Sequence, residues 1–419
     1  MHLPEIGVEL DKLFEQHYQN EISQETNTTT VRETERARNT WKVKGSKKIH
    51  QNAMWFELLA DIAILVALYK MSLENPFRSF EDGFRVAAKF TFIWQIWFGQ
   101  VLLCSSFDTH YFPFRFLQLC QILSICIIGI TRPFAASNAM AYLVFVITII
   151  SSKAVLLIQL GISVMIYDTD YFRIQLPWIM TIFVEIMMWA LTLEFSTVTD
   201  NDYNSVIWLW RVGVLLELVG SLYSSYCSTK LSALFLQNRF SLLTIAMLGK
   251  LWFGITIFIQ DFTIQALILV VAHTILIFSF WRIYYFSSMI NDFNNISLWL
   301  FFHYLFHLLL FIGTSAAYDI IALHGSREMV IELTSLSVAL LLLATINSFD
   351  KDRRKRISFV IGRVICAFAI IFVVFSLNIS EYSQYQIGLI VTSALVCTLM
   401  VEEWLLQQIY LKSDMDDSL

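Results

Sequence analysis

Residues 55–70, from Trp55 to Lys70, read WFELLADIAILVALYK. The run is apolar enough, and with its flanks long enough, to cross a bilayer as a helix. Inside it stand two carboxylates, Glu57 and Asp61, four residues apart. On a helix that spacing puts both on one face. A carboxylate in hydrocarbon is costly, so the face that carries them must turn toward other helices or toward water. The stretch therefore predicts a membrane helix that belongs to a bundle with a polar interior.

The rest of the chain repeats the pattern. It is 57% hydrophobic, 15% aromatic and 15% charged over 419 residues. A soluble domain is nearer half apolar and a quarter charged. Apolar runs about twenty residues long, enough for roughly 30 Å of hydrocarbon, recur at about 54–72, 86–105, 113–131, 138–160, 176–194, 205–223, 239–259, 262–284, 296–319, 330–348, 358–378 and 385–405. The expected fold is all-α: a polytopic transmembrane helical bundle of about twelve spans. An even split into six plus six spans would make the halves parallel repeats. Two weak echoes point that way, F-x-L-L at Phe56–Leu59 and Phe240–Leu243, and FDTHYF at 107–112 against YDTDYF at 167–172. The chain divides into a polar, partly disordered segment (1–52), a transmembrane helical domain (53–406) and a short acidic tail (407–419).

No apolar stretch follows Met1, so no cleaved signal peptide is expected. Lys42, Lys44, Lys47 and Lys48 form a basic cluster before the first span, read as a positive-inside anchor or a site for anionic lipid head groups. The loop at 349–357 is also basic, whereas the loops at 195–204 and 379–384 carry acids without Lys or Arg. This asymmetry puts both termini in the cytosol. The net charge of −5 includes no basic domain for nucleic acid. The six cysteines lack CxxC spacing and read as packing residues. All five prolines are expected outside helix interiors, so any broken helix would have to use glycine, with Gly249 and Gly254 the best candidates.

The candidate functional residues are ionisable groups inside spans. Glu57, Asp61, Lys153, Glu185, Glu217, Lys250, His303 and His307 come from several helices and mostly from the cytosolic half. His273 sits near the midplane, and Arg363, one turn from a helix end, reads as snorkelling. Such a set can line a polar chamber for a proton, a cation or a small solute. It can equally pair across helices and hold the bundle together. His303 and His307, four apart, could chelate a metal, but HEXXH is absent and no Asp or Cys stands near them on the same helix, so no metal is expected. No P-loop, GxGxxG or GxSxG occurs, and no cofactor is expected. Asp108 and Thr109, ahead of Pro113, read as N-capping residues or as a cytosolic loop motif.

Four motifs in matching order resemble one family. Phe56-Glu57-Leu58-Leu59-Ala60-Asp61 looks like the ELFFDLVFV opening of the low temperature requirement protein A (LtrA) family. Phe107-Asp108-Thr109 resembles its RFDTDD stretch. Arg239-Phe240 through Leu248-Gly249 resembles its ERF…LGE segment, and His303 resembles its histidine in a late span. The likeness covers about residues 52–320. Asn238, Lys250 and His110 stand where the family usually carries acids, which marks a divergent member. The resemblance implies a multi-pass membrane protein with a role in growth at low temperature, but no settled molecular activity. Three expectations follow: a transporter-like protein with a cytosol-facing polar site; a structural or sensory membrane protein; and, as a minor reading, an intramembrane lipid-modifying enzyme using a histidine base.

Overall fold

The structure is a computed structural model. It describes residues 46–74, 80–106, 112–131, 139–167, 169–194, 233–258, 263–288, 296–323, 326–347, 353–377 and 382–416, with scattered helical positions between 208 and 223. Apolar side chains dominate each run, and in hydrocarbon only a helix or a closed barrel can satisfy every backbone N–H and C=O. The runs accordingly form helices: α1 (Ser46–Glu74), α2 (Phe80–Ser106), α3 (Phe112–Ile130), α4 (Ala139–Tyr167), α5 (Thr169–Glu194), α6 (Ala233–Phe258), α7 (Ile264–Ser288), α8 (Ile296–Leu323), α9 (Ser326–Asn347), α10 (Arg353–Ser376) and α11 (Tyr382–Asp416). The described residues contain no strand. Among the described residues, nine helices are long and apolar enough to cross a membrane. Helices α1 and α6 are 29 and 26 residues long and carry Glu57 and Asp61, and Arg239 and Lys250, respectively.

Helix α2 is the centre of the first half. Of its most apolar window 94% is buried, against 28% for α5 and α10. It packs on α3, α4, α6 and α8. The outer helices show the opposite pattern. On α10, Ile357, Ile361, Ile365, Phe368, Phe372 and Phe375 are exposed at intervals of three or four, an apolar stripe suited to lipid. Helices α1 and α3 approach backbone to backbone at Gly129: a Cβ there would lie 2.6 Å from Ala67 Cβ and 2.7 Å from Ala67 Cα. In the second half α9 packs on α8, α10, α7 and α11.

Two expectations about helix breaks need correcting. Pro177 lies inside α5, because the helix begins at Thr169, well before the apolar span. The missing N–H costs one helical hydrogen bond, and Thr181 Oγ1 donates to the Pro177 carbonyl at 3.0 Å. Helix α6 runs unbroken through Gly249 and Gly254. A single glycine removes a side chain but no backbone hydrogen bond, so the ladder continues.

Candidate functional site: an ion-lined cleft and the polar line above it

Asp61 and Glu57 do share a face of α1, and that face meets α6. Arg239 Nη2 donates to Asp61 Oδ1 at 2.9 Å and to the Glu57 carbonyl at 3.2 Å. Arg239 Nη1 lies 3.7 Å from Glu57 Oε2. From α2, Trp97 Nε1 donates to the same Asp61 Oδ1 at 2.9 Å. Asp61 Oδ2 is buried and accepts no hydrogen bond. Arg239 thus bridges the two carboxylates of α1.

This cluster borders a narrow cleft, open at its mouth, lined by Glu57, Trp97, Gln100, Gln118, Gln121 and Arg239 among others. The amide nitrogens of two glutamines are spent on the wall. Gln118 Nε2 donates to Cys104 Sγ at 3.0 Å, and Gln121 Nε2 to the Ser152 carbonyl at 2.7 Å. Their oxygens, Gln118 Oε1 and Gln121 Oε1, are buried without a hydrogen-bond partner. Buried acceptors are ordinarily satisfied. Two unpaired acceptor atoms, Gln118 Oε1 and Gln121 Oε1, thus belong to residues of the cleft wall, whose accessible surface is mostly apolar.

Above the ion cluster stands an aromatic layer centred on Phe240, the residue after Arg239. Its ring contacts Trp97 at 5.4 Å, Trp299 at 5.3 Å, His303 at 5.1 Å and His307 at 5.6 Å. Both histidines are fully buried. His303 Nδ1 is 2.9 Å from the Trp299 carbonyl, which can only accept, so this nitrogen carries the hydrogen. His307 Nε2 is 2.9 Å from Thr244 Oγ1, whose own hydrogen goes to the Phe240 carbonyl at 2.9 Å. His307 therefore donates through Nε2. The remaining nitrogens, His303 Nε2 and His307 Nδ1, are buried without hydrogen bonds.

The line continues along α6. Lys250, eleven residues past Arg239 and so about 16 Å further along the axis, donates to Ser315 Oγ at 2.8 Å and Thr314 Oγ1 at 3.3 Å. It also sits 4.3 Å from the Phe311 ring centroid. Ser315 Oγ pairs in turn with Ser72 Oγ of α1 at 2.7 Å. Groups from α1, α2, α6 and α8 thus form one seam: carboxylates at one end, histidines in the middle, an ammonium at the other.

Lys153 and Glu185 stand apart from it. They pair with each other at 3.0 Å between α4 and α5, beside a separate space of about 290 Å³. The two histidines do not line the cleft. Glu217, Asp108 and Thr109 lie outside the described residues, as do Lys42 and Lys44 and the side chains of Lys47 and Lys48. No group of three or more His, Cys, Asp or Glu suited to a metal occurs among the described residues.

Among the described residues, five buried ions were not selected from the sequence: Arg239, Lys89, Glu332, Arg363 and Glu403. Arg239 was read only as part of a family motif. Lys89 donates to the Gly129 and Thr131 carbonyls at 3.2 and 2.6 Å, closing the C-terminus of α3. Glu332 joins His273 and Tyr385. Arg363 does not snorkel. It is fully buried and forms a two-pronged pair with Glu403, Nε to Oε1 at 2.6 Å and Nη2 to Oε2 at 2.8 Å. The signal was present: α10 and α11 are consecutive helices, and Arg363 near the start of one faces Glu403 toward the end of the other.

Residues 53–401 match the family model described as bacterial low temperature requirement A protein (LtrA). No curated protein and no solved structure matches the chain. The match spans the helical bundle and includes the α1 carboxylates, Arg239 and both buried histidines. The chain belongs to the LtrA family, and it is a multi-pass integral membrane protein.

Proposed function

We propose that the protein is transporter-like and that the cleft between α1, α2, α3 and α6 receives a cation or a small donor-bearing solute from the cytosolic side. The observation that carries this reading is a set of buried acceptors without donors: Gln118 Oε1 and Gln121 Oε1 in the cleft wall, and Asp61 Oδ2 behind Arg239, which itself lines the cleft. Excess buried acceptors favour a ligand that brings positive charge or N–H and O–H groups. The side facing the cytosol follows from the basic segment before α1 and the basic loop at 349–357. Lys250 supplies counter-charge at the far end of the seam, where it would keep a cation that has entered from moving on unless the seam rearranges. Lys153 is spent on Glu185.

Reconstituted full-length protein would be loaded into liposomes and challenged with gradients of protons, potassium, ammonium and guanidinium. At least one should move, and Glu57→Gln and Asp61→Asn should each cut that flux on the order of tenfold or more. Flux unchanged in both variants, or no flux of any probe in wild type, would overturn the reading.

A second reading, a structural or sensory membrane protein, is favoured by the closed pairs elsewhere: Lys153 with Glu185, and Arg363 with Glu403, leave little for a ligand to do. It predicts that folding survives while no solute moves.

A further inference from the structure

We propose that His273, Glu332 and Tyr385 together bind one exchangeable proton, and that this proton holds α9 against α7 and α11. The proposal rests on counting hydrogens. His273 Nδ1 lies 2.9 Å from the Leu269 carbonyl. A carbonyl only accepts, so Nδ1 carries a hydrogen. The Tyr385 hydroxyl donates to Glu332 Oε2 at 2.6 Å. That leaves His273 Nε2 facing Glu332 Oε1 at 3.0 Å, with the Tyr385 hydroxyl oxygen, its hydrogen already given to Oε2, further off at 3.4 Å. Two lone pairs would repel at that distance, so one hydrogen must lie between them.

This third hydrogen is the one that partner chemistry does not assign. On Nε2 it gives an imidazolium facing a carboxylate. On Oε1 it gives a neutral imidazole facing a carboxylic acid. Both arrangements are neutral overall, which a fully buried site tolerates, and all three side chains are fully buried. Removing the hydrogen leaves one uncompensated negative charge and two opposed lone pairs. The proton the proposal concerns is this third hydrogen, shared between His273 Nε2 and Glu332 Oε1.

Each member comes from a different helix, so losing the proton strikes the contacts of α9 with both neighbours at once. The α7–α11 contact has its own link, Ser393 Oγ to the Ala272 carbonyl at 2.9 Å, and should persist. Other charged groups stand around the triad. Glu328 is one turn before Glu332 on α9 and half-buried. Lys250 of α6 reaches α8 at Thr314, next to Gly313, which abuts the Glu332 backbone. His307 lies on α8 about 9 Å along the axis from Gly313. Arg282 and Tyr284 lie on α7 beyond His273, and the Arg363–Glu403 pair touches α7 and α9 at Ile283 and Leu343, about 15 to 16 Å along each helix from the triad. None of these makes a hydrogen bond to the triad in the contacts above. The cleft shares no residue with it, so the two proposals fail independently.

The test is infrared difference spectroscopy of full-length protein in lipid nanodiscs, between acidic and alkaline buffer, with no transport step. A band of the protonated pair should titrate in wild type, a carboxylic-acid C=O band if the hydrogen rides on Glu332 or an imidazolium ring band if it rides on His273. It should vanish in Glu332→Gln and shift in Tyr385→Phe, which keeps the carboxyl but removes its donor. Backbone amide exchange across 326–347 should rise as the band is lost. Superimposable wild-type and Glu332→Gln spectra would overturn the proposal, leaving a fixed ion pair. If the glutamine variant does not fold, an unshifted band in Tyr385→Phe overturns it instead. A titrating band with unchanged exchange would sink the claim that the proton holds α9.

Discussion

The two ends of the chain bury ions in different ways. Around α10 and α11, Arg363 has every prong occupied: two bonds to Glu403, one to the Leu343 carbonyl at 3.1 Å and one to the Ile283 carbonyl at 3.5 Å. No cavity is needed and none of those atoms is left over. Around α1 and α6, Arg239 serves two carboxylates, its Nε makes no hydrogen bond, and Asp61 Oδ2 is equally bare. The space beside it is open. Both arrangements carry the cost of dehydrating charges. Only the first recovers that cost within the protein, which is what a structural clamp must do. The second leaves Arg239 Nε and Asp61 Oδ2 without hydrogen bonds.

The sharpest way to break this contrast is at Arg363. Arg363→Met leaves Glu403 as a buried, unpaired carboxylate, and the expected loss is about 3–5 kcal/mol. A purely structural pair predicts a rescue: Arg363→Met combined with Glu403→Leu should recover most of that loss. Unfolding midpoints of the purified variants in detergent check both. Failure of the double variant to recover would mean the pair does more than hold α10, α11, α7 and α9 together.

Arg239→Gln should cost less, about 2–3 kcal/mol, because Glu57, one of the two carboxylates it abandons, borders an open cleft. It should strengthen the preference for cations, since it removes a positive charge from beside two carboxylates. Asp61→Asn is the complementary case, with stability changed by roughly 1 kcal/mol or less but flux lost. If Asp61→Asn unfolds the protein as readily as Arg363→Met, the two regions do the same job and the cleft has no special standing.

How far the contrast could be read from sequence differs residue by residue. The bundle itself was legible, since run length and apolarity decide where helices cross. Glu57 and Asp61 were legible because a spacing of four inside an apolar run leaves a helix few options. Their partner was not, because Arg239 lies 178 residues beyond Asp61, and no local pattern says which helix will face α1. The same blindness hid Glu332 and Glu403, which stand near the ends of apolar runs and look solvated there. Arg363 was misjudged for the same reason: depth along one helix says nothing about whether a counter-ion waits on the next. Pro177 was misplaced because helix α5 begins in a polar segment that hydropathy does not count as span. The expected common chamber for carboxylates and histidines depended on a side chain no ion pattern reports, the Phe240 ring that packs against both Trp97 and the histidines.

Two glycines sharpen the contrast without touching an ion. At Gly129 an added Cβ would meet the backbone of Ala67, which cannot rotate away as a side-chain tip could. Gly129→Ala must therefore push α3 from α1, the helix that carries Glu57 and Asp61, at an expected cost of about 1–3 kcal/mol. Because Gln118 and Gln121 ride on α3, the same shift should widen the cleft and weaken cation binding. Gly249 has nothing within 4 Å of where a Cβ would go, although it precedes Lys250 on the seam helix. Gly249→Ala should therefore be neutral or stabilising by up to about 1 kcal/mol, with flux unchanged. Melting curves and flux measured on the two variants separate the effects. A functional loss in Gly249→Ala would mean that α6 must bend there during the cycle, so that the straight helix seen here is one of two states and the incomplete pairing of Arg239 belongs to the other.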